Sequence, residues 1–207
     1  RIQMITICKR TASDYTTMPW KNGNGSTTQL AIFPENAALD DFAWRISSAV
    51  VGSSSDFSHF PDVDRSLVII SGAGLRLINQ SEGTTLSLTP KDPPYAFKGE
   101  HDVSAQLMAT DRVIDFNVMI HRSTHQHTLK KIAIEGEITL TVAPNETLAI
   151  YHAGGETAYF EGRNLDFITG DLCLLDVHSP EQPQQLSIIS HNALLYVTCI
   201  YANGNIL

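Results

Sequence analysis

Helical periodicity is almost missing from this chain of 207 residues, and without apolar residues recurring three and four apart an α-helical fold is excluded. No apolar run approaches the roughly 18 to 20 residues that span a bilayer. At the N-terminus no basic stretch precedes an apolar core and a small-residue cleavage site. These absences predict a soluble, cytoplasmic protein with no membrane partner.

Cysteine is scarce. Cys8, Cys173 and Cys199 are odd in number, far apart and free of any Cys-x-x-Cys pair, which excludes a paired-thiol redox or zinc centre and predicts buried free thiols. Positive charge is also thin: the net charge is −8 and the basic residues stand singly apart from Lys130-Lys131. A phosphate backbone finds no footprint here, so nucleic acid is excluded as a partner.

The usual catalytic signatures are missing as well. There is no Gly-x-Ser-x-Gly elbow, and Ser53-Ser54-Ser55-Asp56 with nearby His59 reads as a loop rather than as a nucleophile with its base. The run from Asn22 to Thr27 lacks the Lys-Ser/Thr ending of a P-loop and opens no helix. It reads as a turn between strands, with a loop shaping a pocket mouth as the alternative.

What is present is β-structure. Short segments with period-two alternation recur between Gly, Pro, Asn and Asp punctuation, the pattern of a sandwich or barrel. The predicted strands are 27–33, 42–51, 65–71, 75–79, 103–109 and 114–120, then 132–142, 147–151, 157–160, 171–176, 185–189 and 193–201. Ser71-Gly72-Ala73-Gly74 supplies the positive-φ residues of a tight hairpin. The halves meet in a polar segment, 124–131, near residue 125.

A first-row metal in a β-barrel needs several convergent imidazole and carboxylate ligands. His125-Gln126-His127 is the one His-x-His pair, and the next carboxylate, Glu135, stands eight residues on in a separate predicted strand. The pair therefore reads as exposed linker. His59, His101, His121, His152, His178 and His191 stand alone and read as structural residues, so no metal or other cofactor is expected.

The informative feature is a set of polar residues on strands built for burial. Arg65 shares its alternating face with Leu67 and Ile69; Asp115 and Asn117 share one with Met119; Arg45 and Ser47 share one with Ala43 and Ala49. If these are core faces, two arginines, an aspartate, an asparagine and a serine converge in one concavity, with Trp20 and Asn22 at its rim. Buried guanidinium groups are costly unless compensated. One reading is an internal salt bridge such as Arg65 with Asp115, or a solvated sheet face. The other is a pocket for a small planar or carboxylated ligand, gripped bidentately by guanidinium.

These residues carry a resemblance. The runs Trp20 to Thr28, Phe42 to Ala49, Phe57 to Arg65, Gly72 to Leu75 and Asp115 to Met119 resemble the HutD/Ves family of bicupins. The likeness is specific over residues 18–122 and weak beyond, and it departs at Asp62, where the family has glycine in a turn. It implies an all-β fold of two cupin-like antiparallel β-barrels of the jelly-roll type packed together, 1–122 and 123–207, with the N-terminal strand free to pair with the second barrel. A homodimer suits such a fold.

Against the general cupin pattern His-x-His-x4-Glu-x6-Gly, the spacing to Gly72 sets Ser58, Phe60 and Arg65 where metal ligands would stand, and the later histidine position falls near Phe97. The resemblance thus implies a metal-independent protein. It further implies binding of an anionic metabolite of histidine utilisation, formylglutamate or urocanate, as regulator or buffer rather than catalyst. The ligand-binding residues would be Arg65, Arg45, Asn117, Asp115, Trp20, Asn22 and Ser47. The alternatives are a metal-independent isomerase or hydrolase using His59 or Asp115 as base, and a stress-related structural or protein-binding role.

Overall fold

The computed structural model describes residues 4–177 and 182–204. In chain order its strands are β1 (Ile5–Arg10), β2 (Thr16–Pro19), β3 (Gly25–Phe33), β4 (Trp44–Val51), β5 (Ser55–Asp56), β6 (Val63–Ser71), β7 (Leu75–Asn79), β8 (Thr84–Leu88), β9 (Tyr95–Lys98), β10 (Val103–Leu107), β11 (Val113–His121), β12 (His125–Val142), β13 (Glu146–Gly155), β14 (Ala158–Phe160), β15 (Asp166–Phe167), β16 (Leu172–Val177) and β17 (Gln184–Ala202). Among the described residues the only helical element is a three-residue 3-10 turn, Ala12–Asp14, as the missing helical periodicity requires. Among the described residues no helix is long and apolar enough to cross a membrane.

The chain divides into two compact units: Tyr15–His125, and the described residues through Asp14 together with those from Gln126 on. The first contains a six-stranded antiparallel sheet, β2-β3-β4-β11-β6-β9, and a four-stranded one, β5-β10-β7-β8. Leu67, Ile69 and Phe97 of the larger sheet pack on Leu75, Leu77, Val103 and Ala105 of the smaller. The inward face of β6 is therefore the one that carries Arg65. Ile46, Val68, Phe116 and Val118, on the opposite face, are buried too.

Ser71-Gly72-Ala73-Gly74 adopts the expected positive φ at both glycines, 96° and 115°, but it closes no hairpin. β6 pairs with β11 and β9, and β7 with β10 and β8, so this turn carries the chain from one sheet to the other. Arg112 O and Val113 lie against Gly72, and Leu88 O against Gly74, where a side chain would stand. Asp62 takes φ 61°, a left-handed conformation that glycine adopts at less cost than an L-residue, which accounts for glycine as the family's residue there.

The second unit is a seven-stranded sheet in the order β1-β16-β13-β17-β14-β15, with β12 also paired to β17. Its core is apolar, built from Leu148, Ile150, Phe160, Phe167, Leu175, Ile188 and Leu195 among others. Two sequence expectations fail here. The segment 124–131 is no linker, because β12 begins at His125; half-buried His125, His127 and Leu129 alternate with exposed Gln126, Thr128 and Lys130, a period of two that polar composition concealed. Residues 185–189 and 193–201 are one strand, β17, rather than two. Of the cysteines Cys173 is buried and Cys199 half-buried, but Cys8 is exposed, since its position on β1 alternates away from buried Ile5.

Candidate functional site

The polar face is assembled by strand register. On β11, Asp115 stands opposite Ala49 and Ile69, Asn117 opposite Ser47 and Leu67, and Met119 opposite Arg45 and Arg65. Period-two alternation turns all of these to one face. The result is three rows: two arginines flanking Met119, then Ser47 and Asn117, then Asp115. β3 adds Gln29 opposite Ser47. Arg45, Ser47, Arg65, Asp115 and Asn117 are all buried.

Arg65 is the centre of this face. Its guanidinium carbon lies 4.9 Å from the centroid of the Phe97 ring, 5.2 Å from Phe57 and 5.5 Å from Phe60, so three π-faces take part of the role that water plays outside. Nη1 donates to Ser58 O at 3.2 Å, while buried Nε has no partner. Burial lowers the Arg65 pKa to about 10, with Asp115 opposing and Arg45 reinforcing the shift; the group remains a cation at neutral pH. Arg45 Nε donates to Gln29 Oε1 at 2.9 Å, and burial lowers its pKa as well.

Asp115 does not form the expected salt bridge with Arg65. Its Oδ1 accepts from Ala49 N at 3.0 Å instead. Burial pushes its pKa up to about 7, against the pull of that hydrogen bond and of the Arg65 charge. Asn117 Oδ1, also buried, has no partner. The inward face thus holds two buried guanidinium groups and one carboxylate whose ionisation burial opposes.

Asn22 does not join this set, and Trp20 meets only its margin, because Thr27, which its indole touches, stands opposite Ala49 and so in the row of Asp115. Trp20 Nε1 donates to Thr27 Oγ1 at 2.9 Å, and Asn22 Oδ1 accepts from Asn24 N at 3.0 Å to close the turn before β3. Gly25 on that turn pairs with Val51, six residues along β4 from Arg45, or about 20 Å of strand. A surface depression between the Gly23–Ser26 turn, Val50, Gly52 and Arg112 lies at that end and shares no residue with the polar rows.

The segment Phe57 to Phe60 covers the arginine. Phe57 N donates to Val103 O at 2.9 Å and Phe60 N to Gly99 O at 2.8 Å, and His59 Nε2 lies 2.7 Å from Asp102 Oδ1 at the surface. Beside it, Arg122 bonds Asp64 and both oxygens of Glu100. Gln29 and Phe57 were missed in the sequence: Gln29 precedes a bulge in β3, and Phe57 belongs to no strand. Neither position has an alternation that assigns it a face.

A metal does not fit. Ser58, Phe60, Arg65 and Phe97, the positions where cupin ligands would stand, do converge, but on the Arg65 guanidinium itself, and a resident cation repels another. Among the described residues no three His, Cys, Asp or Glu side chains are grouped to hold an ion. His152 bonds Glu156 O at 2.7 Å and Thr169 Oγ1 at 3.3 Å, a satisfied structural histidine, and His178 lies outside the described residues.

Antiparallel sheets, with a jelly-roll pair of sheets around an apolar core and a buried polar cluster in one unit and an apolar core in the other, define a bicupin fold. The chain belongs to the HutD family, whose model matches residues 12–195. It is 37% identical over 108 residues to an uncharacterised 21.2 kDa protein in the hutC 3′ region of Pseudomonas putida, covering 52% of this chain and 55% of that one. It is 34% identical over 100 residues to protein Ves of Escherichia fergusonii, covering 48% and 50%. The chain thus spans about half the length of the curated relatives it matches. HutD from Pseudomonas fluorescens, solved in a formate condition, superposes with a TM-score of 0.80 at 26% identity, covering 96% of this chain and all of the other.

Proposed function

We propose that this chain binds a small organic carboxylate on the inward face of the Tyr15–His125 unit, in the cytoplasm, as a regulator or buffer of histidine utilisation. The observation that carries the reading is the pair of buried guanidinium groups, Arg45 and Arg65, which share one sheet face with a single buried carboxylate, Asp115. An excess of buried positive charge is relieved when an anion enters, and guanidinium holds a carboxylate by two parallel hydrogen bonds. Kinship with HutD and with a protein of the hutC region supports a place in histidine utilisation, and urocanate and formylglutamate are the carboxylates that the family resemblance implies. Because Phe57 and Phe60 cover the Arg65 guanidinium, a ligand approaching from that side enters only when their segment lifts.

The test is a thermal-shift panel on metal-stripped chain with urocanate, formylglutamate, histidine, glutamate, formate and divalent metals. A ligand at 100 times its Kd stabilises the fold by about 2.7 kcal/mol. A shift with a carboxylate that vanishes in Arg65→Ala supports the reading; a shift with metals alone sinks it.

A second reading rests on Asp115, whose pKa of about 7 suits a general base. It makes the chain a metal-independent enzyme on the same ligand class. Turnover of a bound carboxylate, lost in Asp115→Asn, would establish it.

A further inference from the structure

A strand at the edge of a sheet carries a row of unpaired N–H and C=O groups, and folded chains keep such edges short or covered. Among the described residues this holds for β1, β2, β5, β8, β9 and β15, which stand at sheet ends and are two to six residues long. Two of these edges are also tied together: Lys9 Nζ on β1 donates to Asp166 O on β15 at 3.0 Å, and Arg163 Nη1 donates to Ile5 O at 2.9 Å. β12 is the exception. It is 18 residues long, contains no proline, and has β17 as its one strand neighbour among the described residues. At Gly136 nothing lies within 4 Å of where a side chain would stand.

Charge is divided along this strand by sign. Its first part, residues 125–131, holds Lys130, Lys131 and two histidines without an acid; its second part, 132–142, holds Glu135 and Glu137 without a base. Lys130, Glu135 and Glu137 are exposed, and among the described residues none of the three has an ion-pair partner. Gln126, Thr128, Thr139 and Thr141 complete an exposed, uncharged row at the two ends of the strand. Charges on an edge keep other strands away when the approach leaves them unpaired or sets like against like. A parallel copy of β12 in register would meet that repulsion. An antiparallel copy reverses the order of the signs and lays the basic part of each strand on the acidic part of the other.

We propose that the free edge of β12 is the interface of a homodimer, in which β12 pairs antiparallel with β12 of a second copy across a two-fold axis. The contact is self-complementary, as a two-fold interface requires. Main-chain hydrogen bonds along the edge supply affinity, and Lys130 of each copy meets Glu135 and Glu137 of the other, so that every favourable charge contact occurs twice. Directly opposite residues of an antiparallel pair share a face and diagonal ones remain within reach of long side chains, which keeps these charges together on the exposed row.

Sedimentation velocity on the full chain with charge reversals tests this. The parent chain is expected to be a dimer at micromolar concentration. Lys130→Glu alone, and Glu135→Lys with Glu137→Lys, are each expected to weaken the dimer about tenfold or more, because like charges then face each other at both symmetric contacts. An equimolar mixture of the two variants is expected to recover the dimer as a heterodimer, since the altered residues of one chain now attract those of the other. A monomeric parent overturns the proposal. A dimer that neither reversal weakens places the interface elsewhere, and variants that stay monomeric when mixed overturn the charge pairing. Circular dichroism checks that each variant folds; where one does not, the neutral substitutions Lys130→Gln, or Glu135→Gln with Glu137→Gln, take its place and are expected to weaken the dimer less but in the same direction. Carboxylate binding on the inward face is measured separately and decides nothing here.

Discussion

Arg65 on β6 stands directly opposite Phe97 on β9, with its guanidinium carbon 4.9 Å from the centre of the Phe97 ring. The charge is held by aromatic faces and one backbone carbonyl rather than by a carboxylate. Such an arrangement serves function more than stability, because a buried charge without an ion-pair partner gains less than it loses in leaving water.

Replacing Arg65 by methionine, which keeps most of the volume and drops the charge, is therefore expected to leave the fold as stable as before or more so. The same change is expected to weaken carboxylate binding by roughly 2 to 5 kcal/mol. Urea unfolding and isothermal titration on one preparation measure both. A loss of stability with unchanged affinity would make Arg65 a purely structural residue.

Asp115 predicts a pH dependence of folding. Its pKa rises from an ordinary value near 3.8 to about 7 in the folded chain, so the folded state keeps a proton that the unfolded state releases. Its contribution to stability is greatest below the unfolded pKa, falls as pH rises between about 4 and 7, and is level above that. Asp115→Asn removes this slope, and the stability difference between the two chains, measured by denaturant unfolding at pH 4 to 8, must change in that window.

The same carboxylate links binding to protons. The Arg65 charge helps to keep Asp115 ionised, and a bound carboxylate offsets that charge, so binding takes up a fraction of a proton near pH 7. Affinity is expected to weaken as pH rises through about 7. Titrations in buffers of different ionisation enthalpy read the uptake, and zero uptake would separate Asp115 from the site.

Convergence of the former ligand positions on Arg65 predicts that a metal site can be restored. The combined substitutions Phe60→His, Arg65→Glu and Phe97→His bring two imidazoles and a carboxylate to one point, a set that binds first-row divalent ions. Nickel or zinc is expected to raise the melting temperature of this variant and not that of the parent. No shift in the variant would mean that the three side chains do not meet closely enough.

Gly25 gives a test at the other end of the sheet. A Cβ there would lie 2.4 Å from Val50 O and 2.8 Å from the Trp20 ring, and the oxygen belongs to a paired strand that cannot retreat. Gly25→Ala is expected to cost at least about 2 kcal/mol, measured by thermal or urea unfolding. Gly23→Ala, with open space but φ 73°, is expected to cost about 1 kcal/mol.

The β character was legible because period-two alternation is a local property of each strand. The central strands β3, β4, β6 and β11 were read within two residues of their ends. β2, β5, β8, β9 and β15 were missed, since short or largely exposed strands such as β2 and β8 carry little hydrophobic contrast; the N-terminal strand that the resemblance implied is β1, which pairs with β16. The first part of β12, residues 125–131, hid behind polar residues that alternate in exposure but not in hydropathy. Arg45, Ser47, Arg65, Asp115 and Asn117 were all read as potential members of one face, because alternation from Leu67, Ile69, Ala49 and Met119 marks them.

By itself, then, the sequence determined which residues share a strand face. Only the tertiary structure decided which face turns inward, because β4, β6 and β11 bury both of theirs. Tertiary structure alone also set Arg65 among three phenylalanines from two separate segments, gave the Asp115 oxygen to Ala49 N instead of to the arginine, and left Asn22 in the far-end turn with the Trp20 indole on Thr27. The physical reason is range: alternation is fixed by the pleat of one strand, whereas register, sheet pairing and the meeting of distant loops depend on the packing of the whole unit.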